Sequence, residues 1–235
     1  MTEEIFRADA YAKTCDATVI AIGADGVQLD RTVFYPLGGG QPGDTGTLQT
    51  ADGRRVVITD TRKGPSPGQI VHVPAGGDPA LAVGDKVTAA IDWDRRYRHM
   101  RVHTCLHLLS AVVTGGVTGG QIGDGKGRLD FDLPDTALDK DKIQADLNRL
   151  IQANHAVGQR WITDDELAAQ PELVRTMSVK PPTGQGKVRL LDIAGVDLQP
   201  CGGTHVAATA EIGAVVVGKI ENKGRHNRRI NIALA

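Results

Sequence analysis

A cysteine and a histidine stand four residues apart across two glycines in the motif CGGTH, at Cys201 and His205. Far upstream, the motif HTCLH places His103 and His107 at the same spacing. On an α-helix, residues four apart lie on one face with their Cβ atoms about 5–6 Å apart, so both imidazoles can reach one ion. Thiolate sulfur and imidazole nitrogen are ligands that zinc prefers. Together the four residues predict a divalent metal site, with zinc as the first choice.

Three other interpretations of these residues stay open from the pattern alone. Two histidines at this spacing can be buried side chains satisfied by hydrogen bonds, and a zinc site can be purely structural. Structural sites favour several cysteines, whereas sets rich in histidine with one thiolate are commoner where the metal does chemistry. Cys201 as a nucleophile is the third interpretation, and metal coordination would engage the lone pairs that a nucleophile needs.

The composition is that of an ordinary globular protein. Hydrophobic residues make up 40% of the 235 residues, charged residues 23% and aromatic residues 3%, which predicts a core of Val, Ile, Leu and Ala. No apolar run approaches the length of a membrane span, and the acidic start is unlike a secretory signal. Three widely spaced cysteines argue against a disulfide framework. We therefore predict a protein of the reducing cytoplasm.

The elements that must position the ligands fall into two parts, which predicts domains at residues 1–92 and 93–235. Short β-branched runs punctuated by Gly, Pro and Asp in the first part indicate a small antiparallel β-barrel or sandwich. The second part mixes helices and strands without a βαβ alternation, so the predicted fold class is α+β. The predicted strands are DATVIAIG (16–23), GVQLD (26–30), RRVVITD (54–60), GQIVHV (68–73), DKVTAAID (85–92), RWIT (160–163), KVRLLDI (187–193), GAVVVGKI (213–220) and RRINIAL (228–234).

Two helices are predicted in the second part. The first carries HTCLH and ends at Gly115, and its histidines occupy a narrow polar stripe beside a broad apolar face. The second is TALDKDKIQADLNRLIQANHAVG (136–158), which has apolar residues at helical spacing. The apolar face of the first helix comprises Val102, Cys105, Leu106, Leu109, Val112 and Val113.

The net charge of −1 hides an asymmetry between the two parts. Residues 1–92 hold 8 Lys and Arg against 12 Asp and Glu, giving −4, and residues 93–235 hold 19 against 16, giving +3. Two basic clusters carry much of this excess, and each is either a solvated charge run or a set of local phosphate contacts. The clusters are Arg95, Arg96, Arg98 and Arg101, and Lys223, Arg225, Arg228 and Arg229.

The motifs also resemble a known family. HTCLHLL, then GRLDFDL, and far downstream CGGTHV resemble the editing domain of alanyl-tRNA synthetases, and more closely the free-standing alanyl-tRNA editing proteins called AlaX. FYPLGGGQPGDTGTL (34–48) is similar to the Gly-Gly-x-Gln-Pro stretch that precedes this domain in the family. The resemblance covers nearly the whole chain and implies a β-rich leading domain followed by a zinc-bearing α+β domain. No segment resembles an ATP-binding synthetase core, so neither tRNA charging nor a need for ATP is expected.

The resemblance implies roles for individual residues and places the 3′ end of a mischarged tRNA beside the metal. Gln121 stands where the family has a polar residue lining the amino-acid pocket, and Thr204 is a second predicted substrate contact. Leu106 departs from the threonine that synthetase editing domains have just before the second histidine. The implied zinc ligands are His103, His107, Cys201 and His205. A substrate of the size of tRNA needs further contacts, and the predicted contacts to its acceptor-stem phosphates are Arg95, Arg96, Arg98, Arg225, Arg228 and Arg229.

The glycine-rich stretch GGGQPGDTG has two interpretations. Without the resemblance, such a stretch with Asp is most often a hairpin connection. With the resemblance, Gly39, Gly40 and Gln41 become candidate contacts to the tRNA acceptor end, because a bare backbone admits close approach.

The implied reaction is hydrolysis of the ester that joins serine or glycine to the terminal ribose of tRNA(Ala). Zinc with an open position would activate water and polarise the carbonyl, and the N–H groups of Gly202 and Gly203 are predicted to stabilise the oxyanion. Asp192, in the strand before the motif, is predicted to orient a ligand or the water. The alternative is a non-catalytic, zinc-stabilised RNA-binding module, which would lose its fold rather than an activity when stripped of zinc.

Overall fold

Short β-branched segments form the N-terminal strands. The computed structural model describes residues 1–76, 79–133, 138–177 and 186–235. These residues fall into two units, Met1–Arg98 and His99–Ala235. The elements of the first unit are β1 Glu3–Glu4, α1 Ile5–Ala8, β2 Thr14–Gly23, β3 Gly26–Leu29, β4 Arg31–Thr32, β5 Gly46–Thr50, β6 Arg55–Lys63, β7 Ile70–Pro74 and β8 Lys86–Ile91.

Six of these strands close into a barrel in the order β2-β3-β7-β6-β5-β8, with antiparallel pairing throughout. Successive side chains of a strand point to opposite faces, so alternate residues fill the barrel interior. The interior is aliphatic, as the low aromatic content predicts. Its fully buried side chains include Val19, Val27, Leu29, Leu48, Ile58, Val87 and Ala89.

Strand β5 is one element that the sequence pattern did not predict. Its residues, GTLQT, follow directly on the glycine-rich stretch and contain one strongly apolar side chain, Leu48. Pairing with β6 on one side and β8 on the other fixes them in the barrel. Strand propensity depends on the neighbours that a segment packs against, and here those neighbours decide the conformation.

Helix α2, Trp93–Val112, carries the motif HTCLH. It begins at Asp92, whose Oδ1 accepts a hydrogen bond from the N–H of Arg95 at 3.1 Å. Five of the six residues of the predicted apolar face are buried and Val112 is half-buried; Met100 and Leu108, which lie outside the face, are buried as well. Between residues 99 and 110 only two side chains, those of Arg101 and His107, are not classed as buried. The polar stripe of the histidines is therefore inside the protein rather than on its surface.

The second unit holds a four-stranded sheet in the order β14-β15-β10-β9 and a three-stranded sheet in the order β11-β12-β13. Their pairing is antiparallel, so the predicted α+β class is confirmed. The elements are β9 Gly116–Ile122, β10 Lys126–Asp132, α3 Lys140–Gln152, β11 Val157–Thr163, α4 Asp164–Ala168, β12 Lys187–Ile193, β13 Asp197–Pro200, β14 Val215–Asn222 and β15 Asn227–Leu234, with 3₁₀ turns at Pro171–Leu173 and Thr209–Ile212.

Helix α3 is shorter than the predicted 136–158. It starts after Asp139, whose side chain accepts from the N–H of Lys142, and Ile143, Leu147 and Ile151 are buried. Residues 136 and 137 lie outside the described residues. The last residues of the prediction belong to a turn and to β11, because Asn154 adopts a positive φ of 54° that ends the helical path.

Strands β9, β10 and β13 were also not predicted. Four glycines in β9 and β10 (Gly116, Gly119, Gly120 and Gly127) lower the intrinsic strand propensity, whereas pairing between β9, β10 and β15 overrides it. Within the part of the chain that the structure describes, no helix combines the length and apolar character that crossing a membrane requires.

Candidate metal centre

Helix α2 positions two of the four predicted ligands. The ring centroids of His103 and His107 lie 5.4 Å apart, and His103 is 7% exposed. The helix is seated against β10 at Gly127, where a Cβ atom would lie 2.7 Å from Cγ1 of Val102. Because any larger side chain would push the helix away, this glycine sets how closely α2 approaches the sheet. Leu106 packs at the same place, so it serves the core.

The other two ligands lie on the loop that follows β13. Arg189 on β12 donates from Nη1 to the carbonyl oxygens of Cys201 and Gly203, each at 2.9 Å. The N–H of Cys201 donates to the carbonyl of Arg189 at 3.1 Å. Arg189 is 9% exposed, so a buried guanidinium holds the loop against the sheet. The sequence pattern did not single out Arg189, because it reads as an ordinary residue of the strand KVRLLDI.

The four predicted ligands converge. One ligand atom from each of His103, His107, Cys201 and His205 lies within 4.8 Å of the others. Cys201 Sγ is 3.2 Å from His205 Nε2 and 3.6 Å from His103 Nε2. The His103 and His205 rings are 4.3 Å apart between centroids. Residues from one helix and one loop, about a hundred positions apart in the chain, thus present their donors to one point.

The donor set fits zinc. Tetrahedral zinc with bonds of about 2.3 Å to sulfur and 2.0 Å to nitrogen separates its ligand atoms by about 3.3–3.6 Å. The two sulfur–nitrogen distances in the cluster are close to these values. One thiolate and three imidazoles are also of the type and number that zinc binds, whereas the oxygen ligands preferred by calcium and magnesium are absent from this described cluster.

The electrostatics of the cluster favour a thiolate. Burial alone raises the pKa of the Cys201 thiol, but the surrounding imidazoles of His103, His205 and His107 outweigh it and hold the pKa well below its usual value. Burial and the neighbouring His103 lower the pKa of His205, which keeps that ring neutral. Burial also acts to lower the pKa of His107, yet the Cys201 thiolate and Asp197 raise it above its usual value. A thiolate and a neutral imidazole are the forms that bind a metal, so Cys201 and His205 are already in those forms, whereas His107 would release a proton on binding.

Two residues outside the ligand set hold the far nitrogens of the imidazoles. His107 Nδ1 lies 3.1 Å from Asp197 Oδ2, and His205 Nδ1 lies 3.2 Å from Thr104 Oγ1. Both partners are buried. Fixing Nδ1 leaves Nε2 of each ring directed at the common point, which is the usual arrangement around protein-bound zinc. The sequence motifs pointed to neither residue. Thr104 directly follows the first histidine, and Asp197 lies four residues before the cysteine.

Two of the predicted catalytic groups have other partners. The carboxylate of Asp192 pairs with Arg160 at 2.6 Å, and no described hydrogen bond joins it to the metal ligands. The carboxylate that contacts a cluster imidazole is that of Asp197, on the neighbouring strand, so the prediction for Asp192 is corrected. The N–H of Gly203 donates to Cys201 Sγ at 3.5 Å, which directs it at the sulfur rather than at an oxyanion. Gly202 stays a predicted donor.

The predicted pocket residue Gln121 lies on the other face of the sheet. It pairs with Arg128 across β9 and β10, and Arg128 Nε donates to Gln121 Oε1 at 3.3 Å. The adjacent Gly127 faces α2, and successive side chains of a strand point to opposite faces. Gln121 therefore points away from the helix that carries the histidines, which contradicts its predicted place in the pocket. Thr204, by contrast, is fully buried between Gly203 and His205.

The glycine-rich stretch forms a two-residue hairpin turn in the first unit. Gly38 and Gln41 exchange backbone hydrogen bonds of 3.1 and 3.0 Å. Gly39 and Gly40 between them have φ values of 58° and 82°, a combination that favours glycine at both positions. The two glycines are exposed at the tip, whereas the side chain of Gln41 is fully buried. Gln41 is therefore corrected to a structural residue, and Gly39 and Gly40 stay predicted contacts.

The first basic cluster contains a structural arginine. Arg96 is 0% exposed and forms a buried ion pair with Asp44, and it donates to the carbonyl of Val33 at 2.6 Å. A side chain enclosed in this way does not reach a phosphate, so its predicted tRNA contact is wrong. Arg95 is partly exposed and donates to the carbonyl of Gly43 at 2.7 Å.

In the second basic cluster, the arginines differ in their exposure and in the protein groups to which they donate hydrogen bonds. Arg229 donates two hydrogen bonds to Asp130 across the sheet, at 2.8 and 2.9 Å, and shares that carboxylate with Arg128. Arg228 donates to backbone carbonyls of its own hairpin. Arg225 is exposed at the hairpin tip, and Arg98 in the first cluster is partly exposed.

Comparison with known proteins identifies the class of protein that has this fold and site. Residues 3–95 match the class II (A) tRNA synthetases, and residues 188–231 match the second additional domain of threonyl and alanyl tRNA synthetases. The second match includes Cys201, His205 and the partners Arg189 and Asp197. The fold and the site thus define a protein of the class that shares this additional domain with those synthetases.

Individual relatives identify the family within this class of protein. The alanyl-tRNA editing protein AlaX-M of Methanosarcina acetivorans is 38% identical over 100% of this chain and 99% of its own length. That of Saccharolobus solfataricus is 36% identical over 98% of both. The alanine–tRNA ligase of Sulfurisphaera tokodaii is 34% identical over 94% of this chain, which corresponds to 25% of the ligase. The chain belongs to the alanyl-tRNA editing protein family AlaX, as its motifs predict.

Proposed function

We propose that this chain is a zinc-dependent deacylase that hydrolyses the ester of tRNA(Ala) mischarged with serine, and also with glycine. The observation that carries the proposal is the cluster of three imidazoles and one thiol whose ligand atoms lie within 4.8 Å of one another. The names of the full-length relatives, alanyl-tRNA editing proteins, support an alanyl-tRNA as the RNA.

In this proposal His103, His107, Cys201 and His205 hold the zinc ion. Such an ion supplies Lewis acidity that stabilises negative charge developing on an ester carbonyl oxygen. One thiolate among the ligands leaves a divalent ion with a net charge of about +1, whereas four thiolates would leave about −2. The observed donor set therefore suits polarisation of a substrate better than a purely structural role does.

The chain itself supplies a preorganised frame. Arg189 holds the carbonyls of Cys201 and Gly203, and the Gly203 N–H stabilises the thiolate. The buried partners of His107 and His205 keep the rings from turning. An ester is intrinsically labile, so holding it against a fixed electrophilic point supplies much of the needed rate enhancement.

Selection against correctly charged tRNA requires a group that hydrogen-bonds the seryl hydroxyl. A pocket built for a hydroxyl rejects the analogue that lacks it by about 10⁴–10⁵-fold. Of the two predicted pocket residues, Thr204 is the one next to a proposed ligand, His205, so we assign the seryl contact to Thr204. Its side chain is fully buried, so this contact requires the CGGTH loop to expose the hydroxyl when the substrate binds. Arg225 and Arg228 on the β14–β15 hairpin, together with Gly39 and Gly40, are the proposed contacts to tRNA phosphates and acceptor end.

The test is deacylation of Ser-tRNA(Ala), Gly-tRNA(Ala) and Ala-tRNA(Ala) by protein purified without a histidine tag. Each substrate is assayed with the protein as isolated, after chelation, and after zinc is restored. We expect hydrolysis of the two mischarged tRNAs, little hydrolysis of Ala-tRNA(Ala), loss on chelation and recovery with zinc. Thr204→Val, which keeps the shape of threonine, should reduce the rate on the seryl ester more than on the glycyl ester.

The same experiment distinguishes the non-catalytic alternative. A zinc-stabilised RNA-binding module would bind all three tRNAs, hydrolyse none of them, and lose its circular dichroism signal on chelation. Equal rates on mischarged and correctly charged tRNA would contradict selective editing. Such a result would indicate an esterase that hydrolyses aminoacyl-tRNA without selecting the amino acid.

A further inference from the structure

The hydrogen bond between His107 and Asp197 is one end of a larger buried network. The Asp197 side chain is 0% exposed. Gln199, two residues along β13, donates from Nε2 to both carboxylate oxygens of Asp197, at 2.8 and 2.9 Å. The same Nε2 donates to Ser110 Oγ at 2.7 Å, and Ser110 Oγ donates to the carbonyl of His107 at 2.9 Å. The network thus returns to the residue from which it starts.

An arginine stands on the far side of the carboxylate. Arg175 Nη2 lies 3.7 Å from Asp197 Oδ1, and Arg175 Nη1 donates to the carbonyl of Ser110 at 2.7 Å. The carbonyl of Arg175 accepts from the N–H of Val117 on β9 at 2.9 Å, which fixes this segment to the sheet. A buried carboxylate is tolerated when a cation and hydrogen-bond donors surround it. Each oxygen of Asp197 therefore has more than one partner.

We propose that Asp197 is a positioning residue that selects the metal-binding tautomer of His107. A buried carboxylate hemmed in by donors accepts hydrogen bonds only, so it requires a proton on Nδ1 of the imidazole. The lone pair then lies on Nε2, which faces the other three ligands. Gln199 and Arg175 keep the carboxylate in place, and Ser110 ties it to the helix one turn beyond His107. This inference rests on the proposed zinc site.

The partner of His205 differs in kind. Thr104 Oγ1 accepts from the N–H of Val206 at 3.3 Å, and a hydroxyl can donate to or accept from an imidazole nitrogen. Thr104 therefore places the His205 ring without dictating its tautomer. Asp197 does dictate it, so the charge and the acceptor character of Asp197 should matter for metal affinity.

The decisive variant is Asp197→Asn. An amide of the same shape can turn its NH₂ group toward Nδ1, which favours the proton on Nε2 and removes the metal-binding lone pair. We expect the dissociation constant for zinc, measured by competition with a chromophoric chelator, to rise about 10–100-fold. Asp197→Glu retains a carboxylate and should recover part of the affinity.

Asp192→Asn is the matched control. Asp192 lies on the adjacent strand β12 and pairs with the exposed Arg160 instead of a ligand. We expect its zinc affinity to equal that of the parent chain, with the thermal midpoints of both variants recorded alongside. Unchanged zinc affinity in folded Asp197→Asn, or an equal loss in Asp197→Asn and Asp197→Glu, would overturn the proposal.

A second measurement needs no variant. Nitrogen-15 chemical shifts of the zinc-loaded parent chain report which nitrogen of His107 carries the proton. Nδ1–H with metal at Nε2 is expected, and the reverse arrangement overturns the proposal even if Asp197→Asn fails to fold. Zinc binding is measured without tRNA. A chain that hydrolyses no aminoacyl-tRNA but loses zinc affinity in Asp197→Asn would therefore refute the proposed enzyme and support the positioning role.

Discussion

Each unit of the molecule buries histidine, and the two units use it in opposite ways. In the barrel, His72 is 0% exposed, and both ring nitrogens have protein partners, Thr32 Oγ1 at 2.8 Å and the carbonyl of Val27 at 3.0 Å. In the second unit, Nδ1 of His107 and Nδ1 of His205 lie against side chains outside the cluster, Asp197 and Thr104, while Nε2 of His205 faces the sulfur of Cys201. A ring with both nitrogens satisfied is structural. A ring with one nitrogen fixed and the other directed at the point that the cluster shares is positioned to bind a metal ion.

Buried carboxylates show the same difference. In the barrel, Asp44 pairs with Arg96 and accepts a hydrogen bond from the N–H of Tyr35 at 2.6 Å. These partners satisfy the carboxylate inside the fold, so its role is structural. Asp197 has comparable support from Gln199, yet one of its oxygens lies against His107, a proposed metal ligand. Burial alone therefore does not identify a functional group, whereas the direction of the remaining donor or acceptor does.

The largest expected effect follows from removing ligands. The double substitution His103→Ala/Cys201→Ala should reduce zinc from about one ion per chain to none and lower deacylation by at least about 100-fold. Elemental analysis and the Ser-tRNA(Ala) assay measure the two quantities. His72→Gln is the control, and its folded fraction should keep full zinc. If the double variant retained its zinc, the distinction between the structural His72 and the metal-binding histidines of the cluster would be wrong.

The next effect concerns the barrel. Asp44→Ala leaves the buried guanidinium of Arg96 without its counter-charge, which should cost about 3–5 kcal/mol of unfolding free energy. Urea unfolding followed by the fluorescence of Trp93, in a Trp161→Phe background that removes the tryptophan of the second unit, reports on this unit. Asp52→Ala, which removes an exposed partner of Arg54, should leave the midpoint unchanged. Equal effects of the two substitutions would mean that the Arg96–Asp44 pair contributes no more than a surface ion pair.

A smaller effect is expected with pH. Burial lowers the pKa of His72 from 6.5 to about 4, although the Val27 carbonyl opposes the shift. The unfolded chain then binds a proton more readily than the folded chain, so acid favours unfolding. Barrel stability should be complete above about pH 6.5 and fall progressively toward pH 4, by up to about 3 kcal/mol.

His72→Gln tests that expectation. The substitution removes the titrating group, so the part of the pH dependence between 6.5 and 4 should flatten even if the variant is less stable at neutral pH. Urea midpoints at several pH values provide the comparison. A pH profile identical to that of the parent chain would show that other groups control acid unfolding.

The smallest effect concerns tRNA binding. Arg225→Ala/Arg228→Ala should weaken binding of tRNA(Ala) and reduce the slope of log affinity against log salt by up to about 1 per lost contact. Zinc content should stay the same, since neither residue is a ligand. Arg149→Ala, an exposed arginine on α3, is the matched control. Unchanged affinity and slope in the double variant would show that the hairpin arginines are a solvated edge.

The strongly patterned elements were predictable because local sequence determines them. The strand KVRLLDI is found at Lys187–Ile193 as predicted, and the helix that carries HTCLH ends close to the predicted glycines. The glycine-rich β9 and β10 were missed, because their order depends on pairing with β15. Gln121 was assigned to the pocket because it stands where the family that the motifs resemble has a polar pocket residue, and only the pleat of β9 shows that it faces the other way.

The sequence by itself determined the ligand types, the helical spacing of His103 and His107, the family and the α+β class, because each is written in residue identity and short-range periodicity. Only the tertiary structure decided which carboxylate supports the site. From the sequence alone, Asp192 and Asp197 are equally suitable as the carboxylate that supports the site, because they lie five positions apart and both precede the CGGTH motif. Strand pairing turns Asp192 toward Arg160 and Asp197 toward His107. Such a choice depends on which residues a sheet brings face to face, and no local pattern carries that information.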